Sequence, residues 1–246
     1  MPPRYQPDEY WSERLSAELN LRGTGHLSYS EGYNDWLYRA KRRALHRALV
    51  GVDAPARALD VGSGVGWVVD QLRGRGFEVD GCDITDVAVE HRRARFPAST
   101  FSRVSIGRDP IPAPDATYGL VTMLDVAYHV TDDDEWRRAL AEVARVLRPG
   151  GSFVVTDGFD LDDRRPADHV HHRSLGAWTD ATAAVGLTPA GRWPLYRWLS
   201  RDPGGPLDHL PDRARGAVEF ALERVVPRSP HLRIARFARL TPVTSG

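Results

Sequence analysis

The sequence predicts an α/β fold, a doubly wound and mostly parallel sheet, from three observations. Short apolar strand patterns alternate with helical patterns from residue 57 to residue 157. The first strand pattern, 57–61, runs directly into the glycine-rich segment 62–66, and a helix pattern follows at once. The 246 residues, of which 41% are hydrophobic, are enough for one core of ordinary domain size.

The elements of the predicted sheet follow one another in a regular order. Apolar runs of strand length predict the strands, and amphipathic runs at helical spacing predict the helices between them. The Arg148-Pro149-Gly150-Gly151 segment ends the last of these helices. The order is strand 57–61, helix 66–75, strand 77–82, helix 86–95, strand 100–104, strand 118–124, helix 133–147 and strand 151–157.

The two ends of the chain differ from this alternating part. Aromatic residues crowd into residues 1–50, and apolar residues at helical spacing run from 36 to 49, which predicts an N-terminal helical cap over 1–50 and a core over 51–246. The last third predicts helices at 174–185 and 213–226, and strands at 187–199 and 232–240.

Composition excludes several classes of protein. The formal net charge of zero argues against a broad basic groove, so we expect no nucleic-acid partner. Cys82 is the only cysteine, which rules out an intrachain disulfide. Apolar runs of membrane-span length and a signal-peptide pattern are both missing from the sequence, so we expect a cytoplasmic protein without a membrane partner. Lys41 is the only lysine, which we interpret as coding bias toward arginine.

The glycine-rich segment is typical of a nucleoside-binding turn. Its N–H groups and the following helix favour an anionic group, while Asp60 adds a negative charge beside them. A ligand with both a carboxylate and a cationic ammonium or sulfonium suits this turn better than a pyrophosphate. In a dinucleotide fingerprint that begins at Gly62, the third glycine falls on Trp67, which argues against a nicotinamide cofactor. Asp83 ends the second strand at the distance expected for an acid that bonds ribose hydroxyls.

Four motifs in register resemble those of the class I S-adenosylmethionine-dependent methyltransferases. They cover roughly residues 50–160 and read L-D-V-G-S-G-V-G at 59–66, C-D-I at 82–84, Y-G-L-V at 118–121 leading into D-V-A-Y-H-V at 125–130, and R-V-L-R-P-G-G at 145–151. The resemblance implies a Rossmann-like sheet of seven strands that ends in an antiparallel hairpin. It also implies S-adenosyl-L-methionine as cofactor and a small-molecule acceptor.

The resemblance also implies which residues bind the cofactor. The residues around the glycine turn would hold the methionine moiety, Asp83 the ribose and Ile84 the adenine. Many relatives have an acidic residue after the third strand, where this chain has Ser105 and Ile106. The full predicted set is Tyr29, Arg39, Asp60, Gly62, Ser63, Gly64, Asp83, Ile84, Ser105, Ile106 and Leu124.

The segment after the fourth strand is predicted to face the transferred methyl group. Asp125, Tyr128 and His129 are the candidate catalytic residues there. His129 either removes a proton from the acceptor or orients its own loop. Asp125 either positions a cationic group or caps the loop.

Acceptor contacts are predicted from two further segments. Trp36 in the cap, and His171 and Arg173 after the fifth strand, are the candidates. The H-x-H-H spacing at 169–172 fits no common zinc site, so we expect no metal.

Methyl transfer to oxygen or nitrogen, in bacterial secondary metabolism, is the leading hypothesis. Two alternatives keep the cofactor: ring closure by attack of the cofactor's own amine, and cofactor binding without catalysis. No sequence motif separates these, and the acceptor and the oligomeric state stay open.

Overall fold

The protein is described by a computed structural model that covers residues 5–54, 56–201 and 207–241. Its main sheet has seven strands in the spatial order β3-β2-β1-β4-β5-β9-β8. The strands are β1 Arg57–Val61, β2 Glu78–Asp83, β3 Phe101–Arg103, β4 Tyr118–Met123, β5 Leu147–Asp157, β8 Leu187–Tyr196 and β9 Leu232–Arg239. A separate hairpin consists of β6 Arg164–Ala167 and β7 Val170–His172.

Helices connect the strands and cover the sheet. They are α1 Pro7–Ala17, α2 Glu31–Ala48, α3 Trp67–Arg73, α4 Asp86–Arg95, α5 Asp133–Val146, α6 Leu175–Ala184 and α7 Asp212–Val225, with a short 3₁₀ helix at Ala127–His129. Side-chain N-caps fix the starts of α2, α4, α5 and α6, because Ser30, Thr85, Asp132 and Ser174 each accept a hydrogen bond from a first-turn N–H group.

The pairing of the strands confirms the predicted fold class. β1 to β5 pair in parallel, whereas β9 is antiparallel to both β5 and β8. The seven-stranded sheet and its terminal antiparallel hairpin are therefore both present. The strand order reverses between β1 and β4, and in open parallel sheets ligands bind beyond the carboxyl ends of the strands at such a switch point.

Helix α2 shares a core with one face of the sheet. Its buried Tyr33, Leu37 and Leu45 belong to the same hydrophobic cluster as Leu120 of β4 and Ile234 of β9. This packing makes α2 part of the sheet's cover. The division at residue 50 between cap and core stays a prediction.

Helix α7 packs on the outer side of α2. A Cβ atom built at Gly216 would lie 2.6 Å from Cδ1 of Trp36, so the two helices meet closely at this glycine. The hydroxyl of Tyr33 donates to the buried carboxylate of Glu219, which also accepts from Arg215 at 2.9 Å. A polar network therefore joins the first and last thirds of the chain.

The segment after β5 contains two short strands that the sequence did not predict. Residues 164–172 form the β6–β7 hairpin, in which Arg164 pairs with His172 and Ala167 with Val170. These strands are three and four residues long and β6 is largely exposed, so the apolar alternation that predicts a strand is missing.

Candidate active site

A cavity lies at the carboxyl ends of β1, β2 and β4, at the predicted switch point. It contains about 1030 Å³ of empty space, part of which is open to solvent. Helix α1 and the middle of α2, which carries Tyr38 and Lys41, close it from the N-terminal side. Its walls include Tyr5, Trp11, Leu15, Thr24, Tyr38, Lys41, Gly62, Ser63, Gly64, Trp67, Asp83, Ile84, Ser105, Ile106, Leu124, Asp125, His129 and Glu135.

The glycine turn after β1 has the conformation that its sequence predicts. Gly62, Gly64 and Gly66 have φ angles of 74°, 44° and 78°, values that favour glycine over other residues. The turn also packs tightly, because a Cβ atom at Gly62 would lie 2.2 Å from Cγ2 of Val126. The N–H groups of Gly62 and Ser63 both donate to the carbonyl of Cys82, which fixes the turn on β2.

Asp83 lies at the end of β2 with its carboxylate anchored on the turn. One oxygen accepts from the Gly64 N–H at 2.8 Å, and the other accepts from the N–H and hydroxyl of Thr85 at 3.0 and 2.9 Å. Burial raises the pKa of Asp83 above its ordinary value, against these hydrogen bonds. The side chain therefore lines the cavity in a fixed orientation.

Asp60 lies beneath the turn, at 1% exposure. One carboxylate oxygen accepts from the Thr122 hydroxyl at 2.7 Å, and the other has no hydrogen-bond partner among the described residues. Burial, with a smaller contribution from the nearby Asp83, raises the pKa of Asp60 to about 7. The carboxyl group is therefore available for a cationic partner.

A buried ion pair lies on the other side of the switch point. Nζ of Lys41 bonds Oδ2 of Asp125 and lies 4.0 Å from the ring centroid of Tyr38. The Thr156 hydroxyl donates to Asp125 Oδ1 at 3.0 Å and accepts from the Asp125 N–H at 2.7 Å. Asp125 has a φ of 58°, an unusual value for a residue with a side chain, and these contacts keep it there.

The pair keeps both of its charges despite burial. Burial alone lowers the pKa of Lys41, but Asp125, Tyr38 and Tyr196 together outweigh it and the net direction is upward. Burial likewise acts to raise the pKa of Asp125, and Lys41, Thr156 and Tyr128 together hold it below its ordinary value. The hydroxyl of Tyr128 bonds Asp125, and burial and this carboxylate raise the pKa of Tyr128.

His129 is a neutral ring packed among other aromatic side chains. Its Nδ1 lies 2.6 Å from the carbonyl oxygen of His169, so Nδ1 carries the proton and donates. Trp11 packs edge-on against it at 4.9 Å, and His169 stacks on it at 5.7 Å. Burial lowers the pKa of His129 to about 4.

Helix α1 forms one wall of the cavity. Arg14 anchors it by donating to the carbonyls of Gly23 and Gly25, both at 2.6 Å. Tyr10 stacks on His169 at 5.0 Å, which joins α1 to the β6–β7 hairpin. The anchored helix brings Trp11 against His129.

Most of the predicted site residues lie together in the cavity wall. Asp60 is buried under the turn, and Tyr128 contacts Asp125 from outside the wall. The predicted residues that line the cavity are Gly62, Ser63, Gly64, Asp83, Ile84, Ser105, Ile106, Leu124, Asp125 and His129.

Three predicted cap residues lie away from the cavity, in the α2–α7 contact. The hydroxyl of Tyr29 donates to the carbonyl of Arg201 at 2.6 Å. Trp36 packs on Phe220 at 5.1 Å, and the exposed Arg39 stacks on Trp36 at 4.5 Å. The face of α2 that carries Trp36 and Arg39 is turned toward α7. The α2 residues that line the cavity are Tyr38 and Lys41 instead.

Two predicted acceptor residues are buried outside the cavity wall. His171, 2% exposed, lies 3.2 Å from the Asp163 carboxylate. Arg173, 1% exposed, donates to Asp133 and to the carbonyls of Val130 and Asp132. Arg173 therefore holds the segment that follows His129.

The cavity wall also contains side chains that were not predicted from the sequence, namely Lys41, Tyr5, Trp11 and Tyr38. The one available signal for Lys41 was its being the only lysine. The three aromatic residues gave no position-specific signal, because aromatic residues in helices more often pack than bind.

Two kinds of feature are missing from the residues that the structure describes. Across 5–54, 56–201 and 207–241 there is no helix long and apolar enough to span a membrane. The same ranges contain no group of three or more His, Cys, Asp or Glu side chains placed to hold a metal ion.

Known proteins resemble this chain in sequence and in fold. A methyltransferase-domain family matches residues 59–155. A probable S-adenosylmethionine-dependent methyltransferase of Mycolicibacterium smegmatis is 28% identical over 88% of this chain and 79% of its own length. An S-adenosyl-L-methionine-dependent Diels-Alderase of Talaromyces variabilis is 30% identical over 64% of this chain and 56% of its own length.

The fold also matches solved structures. One is the 1,6-didemethyltoxoflavin-N1-methyltransferase of Burkholderia thailandensis, solved with S-adenosylhomocysteine. It has a TM-score of 0.59 at 17% identity, over 98% of this chain and 93% of the other. This likeness concerns the fold.

Proposed function

Because this chain belongs to the class I S-adenosylmethionine-dependent methyltransferases, we propose that it moves a methyl group to oxygen or nitrogen of a small molecule. One observation carries the proposal. A single cavity joins the glycine turn and Asp83 on one side of the switch point to Lys41, Asp125 and His129 on the other. A cofactor half and an acceptor half thus meet where an in-line transfer requires them.

The residues of the first half fit S-adenosylmethionine. The free carboxylate oxygen of Asp60 and the unpartnered buried hydroxyl of Ser63 are available for the methionine moiety. Asp83 is placed for the ribose, and Ile84 and Ile106 offer apolar surfaces for the adenine. When bound, the cofactor supplies a methyl group on an electrophilic sulfonium.

The second half favours positioning over strong base catalysis. With its pKa near 4, His129 is a weak base at neutral pH. We therefore propose that His129 orients the acceptor and that the acceptor loses its proton readily. His129→Asn should keep most of the turnover, whereas a general base would be worth about 10²–10⁴ in rate. A loss of that size in His129→Asn, with cofactor affinity unchanged, would show that His129 is the base.

Cofactor binding is the direct test of the first half. We expect calorimetry to show binding of S-adenosylhomocysteine and none of NAD, because Trp67 replaces the third glycine of the dinucleotide turn. Asp83→Asn should weaken that binding by about 1–3 kcal/mol, the cost of a lost charged hydrogen bond. Asp86→Asn is the matched control, since this carboxylate starts α4 outside the cavity. Equal affinity of the wild-type protein, Asp83→Asn and Asp86→Asn for S-adenosylhomocysteine would show that Asp83 does not bind the cofactor.

Ring closure is the second candidate, and the relative named as a Diels-Alderase is a ring-forming protein of another kind. In our version the amine of the cofactor would attack the carbon of its own side chain that is bonded to sulfur, inside the aromatic cavity. The C–N bond would form as that C–S bond breaks, methylthioadenosine would leave, and the amine would lose a proton to water. Incubation with cofactor alone distinguishes the two reactions, because only ring closure proceeds without an acceptor. A biosynthetic role in bacterial secondary metabolism and a cytoplasmic location complete the proposal, on family-level analogy and composition.

A further inference from the structure

We propose that Lys41 binds an ionised oxygen of the acceptor, so that the preferred substrates are acids such as phenols, enols or carboxylic acids. The inference rests on the function proposed above, because it names the substrate class of that same cavity. Four observations support it, and each concerns the Lys41–Asp125 pair.

The first observation is the charge of the cavity wall. Among the described residues that line it, Lys41 is the only lysine or arginine. His129, with its lowered pKa, is neutral at neutral pH. The acidic side chains of the wall are Asp83, Asp125 and Glu135, so Lys41 is the one positively charged side chain there that an anionic group can approach.

The second observation is the setting of that charge. The side chain of Lys41 is 6% exposed and lies against Tyr38 and Trp67, at 4.0 and 5.8 Å from their rings. Charges attract more strongly where water is scarce, so an anion gains more here than at the surface. The aromatic surfaces suit a flat, conjugated acceptor.

The third observation is the position of the pair in the sheet. Asp125 follows β4 and bonds Thr156 near the end of β5. The glycine turn and Asp83, which fit the cofactor, follow β1 and β2. Lys41 therefore lies on the β4–β5 side of the switch point, which is the side that the proposed function assigns to the acceptor.

The fourth observation is the charge balance. Asp125 neutralises Lys41 in the free enzyme, so a cationic cofactor meets no net positive charge there. A protonated amine, in contrast, has no lone pair that could accept a hydrogen bond from Lys41. An acidic oxygen can share the ammonium group with Asp125, because an ammonium group has three N–H donors.

A pair of matched ligands tests the inference by binding alone. Protein saturated with S-adenosylhomocysteine is titrated with 4-nitrophenol at a pH where the phenol is ionised, and with 4-nitrobenzyl alcohol, which has a similar shape and no charge. We expect the phenolate to bind about tenfold more tightly than the alcohol. Equal affinities, or no phenolate binding, would overturn the inference.

The two members of the ion pair should respond in opposite directions. Lys41→Met removes the cation and should abolish the preference for phenolate. Asp125→Asn frees the ammonium group and should strengthen phenolate binding by about threefold or more. A pair that only supports the fold would weaken binding in both variants, and that result would also overturn the inference.

A third variant controls for misfolding of Lys41→Met. Lys41→Met leaves a buried carboxylate without its partner, so Lys41→Met/Asp125→Asn, which removes both charges, should be folded and should show no preference. If either protein without Lys41 keeps the preference, the inference is wrong. It is also wrong if loss of Lys41 weakens S-adenosylhomocysteine binding instead, because Lys41 would then serve the cofactor. Failure of the proposed function would appear earlier, as wild-type protein that binds no S-adenosylhomocysteine.

Discussion

The two halves of the cavity are built by different means. The β1–β2 half consists of backbone turns and short-range contacts, in which Gly62, Gly64 and Asp83 bond atoms of adjacent strands. The β4–β5 half consists of side chains from distant segments, with Lys41 of α2 on Asp125 and Trp11 of α1 on His129. The first half is therefore encoded locally, and the second exists only once the chain has folded.

This difference explains what each half can tolerate. In the glycine turn, the available space and the backbone conformation decide which substitutions are tolerated. In the half built from charged side chains, burial and ion pairing decide this. The following three changes test that contrast, in order of decreasing expected effect.

Breaking the ion pair should cost the most. Lys41→Met leaves Asp125, whose side chain is 19% exposed, without its cation, and we expect the free energy of unfolding to fall by about 3–5 kcal/mol. Urea denaturation measures this. The same substitution at the exposed Arg39, on the same helix, should change stability by no more than about 0.5 kcal/mol. Similar losses at both positions would show that the pair does not stabilise the acceptor half.

Filling the glycine turn should have the next largest effect. Gly62→Ala adds a methyl group 2.2 Å from Val126 at a φ of 74°, and we expect a loss of about 2–4 kcal/mol from strain and crowding together. Gly186→Ala is a matched control, because its φ is 72° and nothing lies within 4 Å of the added atom. The control should lose only about 1–2 kcal/mol, the cost of the backbone conformation. Equal losses would mean that Val126 yields to the new side chain.

Acid should act on the second half through His129. Its folded pKa of about 4 lies below its ordinary 6.5, so as the pH falls the unfolded chain takes up the proton first. The stability is fully present above about pH 6.5 and is lost progressively as the pH falls toward 4. His129→Asn should remove about 1–2 kcal/mol of this loss, a value that allows for solvent screening.

A second histidine provides the control for the acid experiment. Burial also lowers the pKa of His231 to about 4, and this residue precedes β9 outside the cavity wall. His231→Asn should reduce the acid sensitivity in the same way while leaving 4-nitrophenolate binding unchanged. If His129→Asn has no effect on the acid profile, His129 is not neutral in the folded protein.

The sequence predicted the fold and the conformation of the glycine turn well. The alternation of strands and helices and the glycine turn depend on neighbours in the chain, so their patterns were visible. The pairing of β8 with β9, which are separated by α7, was implied by the family resemblance. Tyr29, Trp36 and Arg39 were predicted at the cavity because they belong to the right segment. Their actual neighbours depend on how α7 packs against α2, and no periodicity of α2 alone reveals that.

The acceptor half was predicted in part. Asp125 and His129 follow a recognisable strand, but their partners Lys41 and Trp11 come from the N-terminal helices. The single lysine was interpreted as coding bias, because its ion-pair partner Asp125 lies more than 80 residues away in the chain. Burial of a charged group next to a strained backbone could be seen only in three dimensions.

The single lysine turns the chain into its own spectroscopic reporter. Selective isotope labelling of lysine gives one side-chain ammonium signal in the whole protein, and it comes from the wall of the cavity. Its proximity to the Tyr38 ring should shift that signal away from the values of solvent-exposed lysines, and its shielding from water should slow the exchange of its protons. Cofactor and acceptor occupancy can thus be followed through one resonance without attaching a probe.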